Sequence, residues 1–234
     1  MKTIGLLGGM SWESTALYYR LINEEVNRRL GGLHSARIVM VSVDFEPIEV
    51  MQREGDWQAA GAALAEAARQ VEAGGADLLV ICTNTMHKVA PQIQNAIGIP
   101  LLHIADATAR RIRAAGIETV GLLGTNFTME QDFYRGRLVD EYGLNVLVPP
   151  KPDRDLVHHI IYDELCQGVV KDASRDVYLR IIEDLRARGA EGIIEGCTEI
   201  VMLVQQPHTE VPLFDTTSIH AEAAVQEALG LNHR

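Results

Sequence analysis

The apolar positions of this chain alternate between two rhythms. Short runs with strand character cover residues 3–7, 38–43, 78–81 and 101–104 in the first half, and 120–123, 145–148, 192–195 and 213–214 in the second. Longer amphipathic stretches lie between them. Residues 13–30 carry Leu17, Leu21 and Val26 on one stripe; 56–73 carry Leu64, Ala67, Ala68 and Val71; 174–188 carry Val177, Ile181, Ile182 and Leu185. Spacings of three and four residues line one face of a helix. Strands alternating with helices of this length predict an α/β fold, with parallel sheets flanked by helices. Ligands in such sheets collect at the carboxyl ends of the strands.

The two halves repeat one another. Thr3-Ile4-Gly5-Leu6-Leu7-Gly8 is echoed by Thr119-Val120-Gly121-Leu122-Leu123-Gly124. Gly75-Ala76-Asp77 leads through an apolar run to Cys82-Thr83, and Gly189-Ala190-Glu191 leads to Cys197-Thr198. Ile99-Pro100-Leu101-Leu102 is matched by Val211-Pro212-Leu213-Phe214. Ordered matches at nearly one spacing indicate an internal duplication. The expectation is two similar lobes, 1–102 plus 212–234 and 103–211, each a parallel sheet flanked by helices, with the active site between them. Pro149-Pro150-Lys151-Pro152-Asp153 reads as a loop within the second half.

Both repeated cysteines fall at strand ends, followed by residues that start helices: Thr83-Asn84-Thr85 before a helix over 86–97, and Thr198-Glu199 before one over 200–204. A thiol at a helix N-terminus can have a lowered pKa. Thiols titrate near neutrality, so each serves as base when ionised and acid when not. A duplicated scaffold carrying one on each side suits a reaction that needs an acid and a base on opposite faces of one carbon. The loops Gly8-Gly9-Met10-Ser11 and Gly124-Thr125-Asn126 follow the first strand of each half. Their N–H groups, with Met10, Ser11, Asn84, Thr85, Thr125, Asn126 and Thr198, are candidates to hold a carboxylate and the charge that grows from it. Glu199 is a candidate to pair with an ammonium or to orient the Cys197 thiol, whose ionisation its charge would oppose.

Composition narrows the classes. The chain has 234 residues, 47% of them hydrophobic, and a formal charge of −11, which argues against nucleic acid and anionic membranes. No apolar run approaches a membrane span. Residues 4–10 are too short and glycine-rich for a signal peptide, so a cytoplasmic protein is expected. Three widely spaced cysteines are not a disulfide framework. Cys166 has no counterpart in the first half and reads as a helix-packing residue. Cys82 and His87 have no second ligand pair nearby, so no metal is expected. His103 and His220 read as structural, and His158-His159 as a helix surface.

Gly8-Gly9-Met10-Ser11-Trp12, Cys82-Thr83-Asn84-Thr85 and Gly196-Cys197-Thr198-Glu199-Ile200 resemble the motifs of the cofactor-independent aspartate/glutamate racemases, over essentially the whole chain. The resemblance looks closest to the enterobacterial branch, which includes broad-specificity members. It implies that Cys82 and Cys197 are the catalytic acid/base pair, with an amino acid as substrate, no pyridoxal phosphate or other cofactor, and a homodimer. It also implies that the helix after Pro100 packs on the second lobe and the helix after Pro212 returns to the first. Aspartate-specific relatives bind the side-chain carboxylate with an arginine after the second strand and a lysine before a glycine. Here the first stretch reads Phe45-Glu46-Pro47-Ile48-Glu49, and Cys166 stands in the lysine's place. That leaves Arg53 as the candidate cation and opens the side-chain preference. Rival readings are another reaction of the same superfold (maleate isomerisation, hydantoin racemisation, malonate decarboxylation) or a non-catalytic amino-acid-binding protein.

Overall fold

The computed structural model describes residues 1–231. Its strands are β1 (Ile4–Gly8), β2 (Ile38–Ser42), β3 (Leu78–Ile81), β4 (Leu101–Leu102), β5 (Thr119–Gly124), β6 (Asn145–Leu147), β7 (Gly192–Gly196) and β8 (Leu213–Asp215). Each coincides with an expected apolar run. The helices are α1 (Trp12–Leu30), α2 (Phe45–Glu54), α3 (Trp57–Ala73), α4 (Ala90–Gln94), α5 (Ile104–Ala114), α6 (Asn126–Glu130), α7 (Asp132–Tyr142), α8 (Lys151–Asp163), α9 (Asp172–Ala187), α10 (Ile200–Leu203) and α11 (Thr216–Leu229). No helix among the described residues is long and apolar enough to cross a membrane.

Two compact units result: residues 1–104 with 220–234, and residues 105–219. Their boundaries lie inside α5 and α11, a little past the 102 and 212 expected from the proline motifs. The first unit holds a parallel sheet in the order β2-β1-β3-β4, the second a parallel sheet in the order β6-β5-β7-β8. The same order of corresponding strands is the structural form of the sequence repeat.

The repeated motifs make the same bonds in each unit. Asp77 Oδ2 accepts the Thr3 N–H at 2.6 Å, and Glu191 Oε2 accepts those of Glu118 and Thr119 at 3.0 and 2.9 Å. A carboxylate thus satisfies a backbone N–H at the start of each leading strand, Thr3 just before β1 and Thr119 opening β5. The carbonyls of Pro100 and Pro212 accept from Leu79 and Ile193, both at 2.8 Å. Gly75 and Gly189 turn the chain out of α3 and α9 at φ values of +90° and +103° that side-chain-bearing residues avoid.

The sheet of the first unit buries both faces. One face packs Leu7, Leu79 and Ile81 on Leu64, Ala68 and Val71 of α3. The other sets Ile4, Leu6, Leu78 and Val80 against Tyr18, Ile22 and Val26 of α1 and Ala224 and Val225 of α11. Parallel strands buried on both sides need the continuous apolar runs seen in the sequence.

Two local expectations differ. The segment after Cys82 is no continuous helix over 86–97: a 3₁₀ turn (Thr85–Val89) precedes the short α4, because Pro91 sits where a longer helix would need an N–H. The proline-rich segment at 149–153 is not all loop. Pro150 caps α8 and Pro152 lies in its first turn, where a missing N–H is tolerated.

Candidate active site

Within the first unit, β1 and β3 are parallel neighbours, with Leu7 paired to Ile81. The loops that follow them therefore leave the sheet side by side. A Cβ on Gly9 (φ +96°) would come within 2.2 Å of the Val43 carbonyl oxygen, so the chain passes there only as glycine. Thr15 Oγ1 accepts the Gly9 N–H at 2.8 Å and donates to the Ser11 carbonyl at 2.8 Å. Ser11 Oγ accepts the Ser14 N–H and caps α1. Met10, expected beside the substrate, is 4% exposed and its side chain belongs to the core on the α3 side, leaving only its backbone for a ligand.

Cys82 continues β3, its N–H donating to the Leu7 carbonyl at 2.9 Å. Its side chain follows Leu78 and Val80 onto the face shared with Tyr18 and Ala221, and it has no exposed surface. That burial pushes its thiol well up, opposite to the helix-end effect expected, because no regular helix starts there and desolvation dominates. Thr83, the next residue, is half-buried. Asn84 and Thr85 are both buried, and Asn84 does not cap the following turn with its side chain.

In the second unit β5 and β7 pair through Gly124 and Gly196, which brings Thr125-Asn126 beside Cys197-Thr198-Glu199. The thiol of Cys197 donates to Glu199 Oε2 at 2.8 Å, and Thr198 Oγ1 donates to the same oxygen at 2.8 Å. Burial pushes the Cys197 thiol up, and the Glu199 carboxylate pushes it further. Glu199 thus orients the thiol and opposes its ionisation; the four-residue α10 does not reverse this. Thr125 Oγ1 caps α6 by accepting from Thr128 N–H. The Asn126 N–H donates to His158 Nδ1 at 3.3 Å and its Nδ2 to Asp155 Oδ1 at 3.3 Å, which leaves its buried Oδ1 unpartnered among the described residues.

The two cysteines do not occupy equivalent places in their sheets. Leu7 and Leu123 correspond in the repeat; opposite them stand Ile81 and Glu195. Counting on, Cys82 corresponds to Gly196 and Thr83 to Cys197. The second run holds one residue more between its Gly-Ala-acid motif and its cysteine, a difference too small to see against the approximate spacing of the repeat.

Arg53 is ion-paired with Glu49 at 2.7 Å on an exposed turn of α2. Two other placements correct the sequence reading. Cys166 is exposed in a 3₁₀ turn rather than packed under a helix. His158 is half-buried against the Asn126 loop, not free on a helix surface, and burial pushes its ring below the usual histidine range.

Several residues near the loops escaped notice because no local pattern marks them. Tyr178, fully buried on α9, lies close enough to Cys197 and Glu195 for their charges to push its hydroxyl up, after burial itself. Glu195 sits in an otherwise apolar strand, 3% exposed, with Oε1 unpartnered among the described residues. Burial and the neighbouring Asp215 push its carboxyl up to about 8. His87 and His220 have distant partners, described below, that only the fold supplies.

Comparison with known proteins adds four similarities. The profile of a family described as Asp/Glu/hydantoin racemase matches residues 7–224. A crystal structure from Yersinia pestis, itself only provisionally described as an Asp/Glu racemase, is 56% identical, with a TM-score of 0.94 over 98% of this chain and 100% of that one. An aspartate racemase homologue from Pyrococcus horikoshii is 34% identical, with a TM-score of 0.85 over 98% of this chain and 100% of that one. Among curated proteins, a broad-specificity amino-acid racemase from Bacillus subtilis is 22% identical over 227 residues, 97% of this chain and 98% of that protein.

Proposed function

The chain belongs to the Asp/Glu/hydantoin racemase family, and from that premise we propose that it interconverts the L and D forms of amino acids, aspartate and glutamate included, by proton transfer at the α-carbon. The observation that carries the reading is the Cys197 thiol bonded to the Glu199 carboxylate at the carboxyl end of β7, beside the Thr125-Asn126 loop.

The α-hydrogen of an amino acid is a very weak acid, so its removal needs a positioned base and stabilisation of the charge left behind. Glu199 is within reach of the thiol proton. Its transfer leaves a Cys197 thiolate and a neutral carboxyl, which avoids placing two negative charges together. The thiolate takes the α-hydrogen from one face, and the C–H electrons pass into the substrate carboxylate. A second group gives a proton to the opposite face and completes the inversion. The unpartnered Asn126 Oδ1 suits an N–H of the substrate ammonium. Arg53, held by Glu49, offers no anchor for an acidic side chain, which favours a broad side-chain range.

The expected second group is the Cys82 thiol. A second reading assigns this part to Thr83, favoured by the strand register and by the burial of Cys82 among apolar side chains. Loss of optical rotation from L-glutamate, L-aspartate and L-homoserine, with α-hydrogen exchange followed in deuterated water, tests the function. Cys197→Ala should lose both activities, by about a hundredfold or more. The same loss in Cys82→Ala, with Thr83→Ala nearly intact, supports the thiol pair; the reverse pattern supports Thr83. Unchanged rotation of every amino acid tried would end the racemase reading.

A further inference from the structure

Three buried histidines and a tyrosine lie together beneath the Cys82-Thr83-Asn84 loop. His87, His103, His220 and Tyr18 are 1%, 8%, 0% and 0% exposed. The His87 ring lies 4.6 Å from that of His103 and 5.7 Å from that of His220, centre to centre. Tyr18 meets His220 edge to face at 5.6 Å.

The partners of these rings settle their protonation. His87 Nδ1 is 2.8 Å from the Thr83 carbonyl oxygen, which can only accept, so Nδ1 carries the hydrogen. Its Nε2 receives the Ile104 N–H at 3.2 Å, so Nε2 keeps its lone pair. A donor on one side and an acceptor on the other specify a neutral ring in one tautomer. His220 carries its hydrogen on Nε2, which donates to the Leu102 carbonyl at 2.8 Å, while Nδ1 faces the Tyr18 hydroxyl at 2.9 Å. Burial, with His103 and His220 as neighbours, pushes His87 well below the usual histidine range, in keeping with the neutral form. The titratable groups shown against it are those two rings, and the Tyr18 hydroxyl stands on the far side of His220.

We propose that His87 is a positioning residue for this loop: its neutral ring, clamped between the Thr83 carbonyl and the Ile104 N–H, sets the direction in which Cys82 and Thr83 are presented to the substrate. The Thr83 carbonyl stands between the end of β3 and the 3₁₀ turn, outside both, and the ring four residues on supplies its donor. The same ring closes over an N–H at the start of α5, which no intrahelical carbonyl can reach. One side chain therefore joins the loop to a fixed point of its own unit. Misplacing a reacting group by about 1 Å is enough to cost roughly a hundredfold in rate. The kinetic part of this inference rests on the racemase reading; the state of the ring does not.

The test combines two substitutions with a spectrum. His87→Asn sets an amide N–H near the place of Nδ1, and His87→Gln sets its polar group near that of Nε2. The asparagine variant should keep kcat within about threefold of the parent. The glutamine variant should lose about tenfold or more in kcat, with KM changed by less than about threefold. Nitrogen spectra of the ¹⁵N-histidine-labelled parent at neutral pH, with the His87 signals identified by their loss in either variant, should give a protonated Nδ1 and a bare Nε2. Equal kcat per folded molecule in the two variants would overturn the proposal, as would an Nε2–H tautomer or an imidazolium. If neither variant folds, spectra of the parent decide, its His87 signals then assigned through their contacts with Thr83 and Ile104. A parent with the stated tautomer but no racemisation would sink the proposed function and leave the clamp supported.

Discussion

Replacing Glu195 by glutamine should change the pH dependence of folding stability. The side chain is 3% exposed and lies beside Asp215 across the β7–β8 ladder, and its carboxyl is pushed from the ordinary 4.5 up to about 8. At acid pH the group is protonated in both folded and unfolded chains and adds no pH dependence. Above about 4.5 the unfolded chain releases the proton while the folded chain holds it, so stability falls until the folded group itself ionises near 8. Each pH unit in that window costs about 1.4 kcal/mol, or about 2.7 kcal/mol between pH 5.5 and 7.5. Glu195→Gln keeps the shape and cannot ionise, so the variant should gain that amount on the parent over the same interval. Urea denaturation of both proteins at pH 5.5, 6.5 and 7.5 measures it, since all other titrations cancel in the difference. Parallel stability curves would refute the buried-acid assignment, and a difference that shrinks as pH rises would reverse its sign.

Two further substitutions read the second unit's loop and the expected side-chain anchor. Glu199→Gln removes the charge that raises the Cys197 thiol, so the pH midpoint for alkylation of that cysteine by iodoacetamide should move down; a midpoint that stays or rises would contradict the contact. Arg53→Ala breaks an exposed i,i+4 ion pair with an expected stability change below about 0.5 kcal/mol, and KM for glutamate and aspartate should stay within about twofold. A tenfold rise confined to the acidic substrates would return Arg53 to the site.

The strands were legible because the first sheet buries both faces, and β5 and β7 are buried along nearly their whole length, which writes such strands as apolar runs bounded by turn residues. The Gly-Ala-acid and Pro motifs were legible because each carries a bond the sheet needs, at Asp77 and Glu191 and at Pro100 and Pro212. Side-chain direction at the strand ends was not. Cys82 and Cys197 look alike in the primary structure, but one residue moves a side chain to the other face of a strand, and an alignment of motifs tolerates that slip. Met10 follows two glycines and so reads as a loop residue, although its own side chain is apolar and finds the α3 core. The partners of His87 and His220 lie far along the chain, at Ile104, Leu102 and Tyr18, and no spacing rule connects them. Glu195 reads as one more strand residue; its burial beside Asp215 comes from the fold, not from its neighbours in sequence.

The additional residue before Cys197 has a bearing on how enantiomers are told apart. A duplicated chain of L-residues, however faithful, has no mirror plane, so the two hands of a ligand are already held differently. On the Thr83 reading, a sulfur at one position and a hydroxyl at its counterpart would add a chemical difference between the groups offered to the L and D forms. Because racemisation has an equilibrium constant of one, kcat/KM must still agree in the two directions. The asymmetry therefore surfaces as separate kcat and KM values for each hand, changing in proportion.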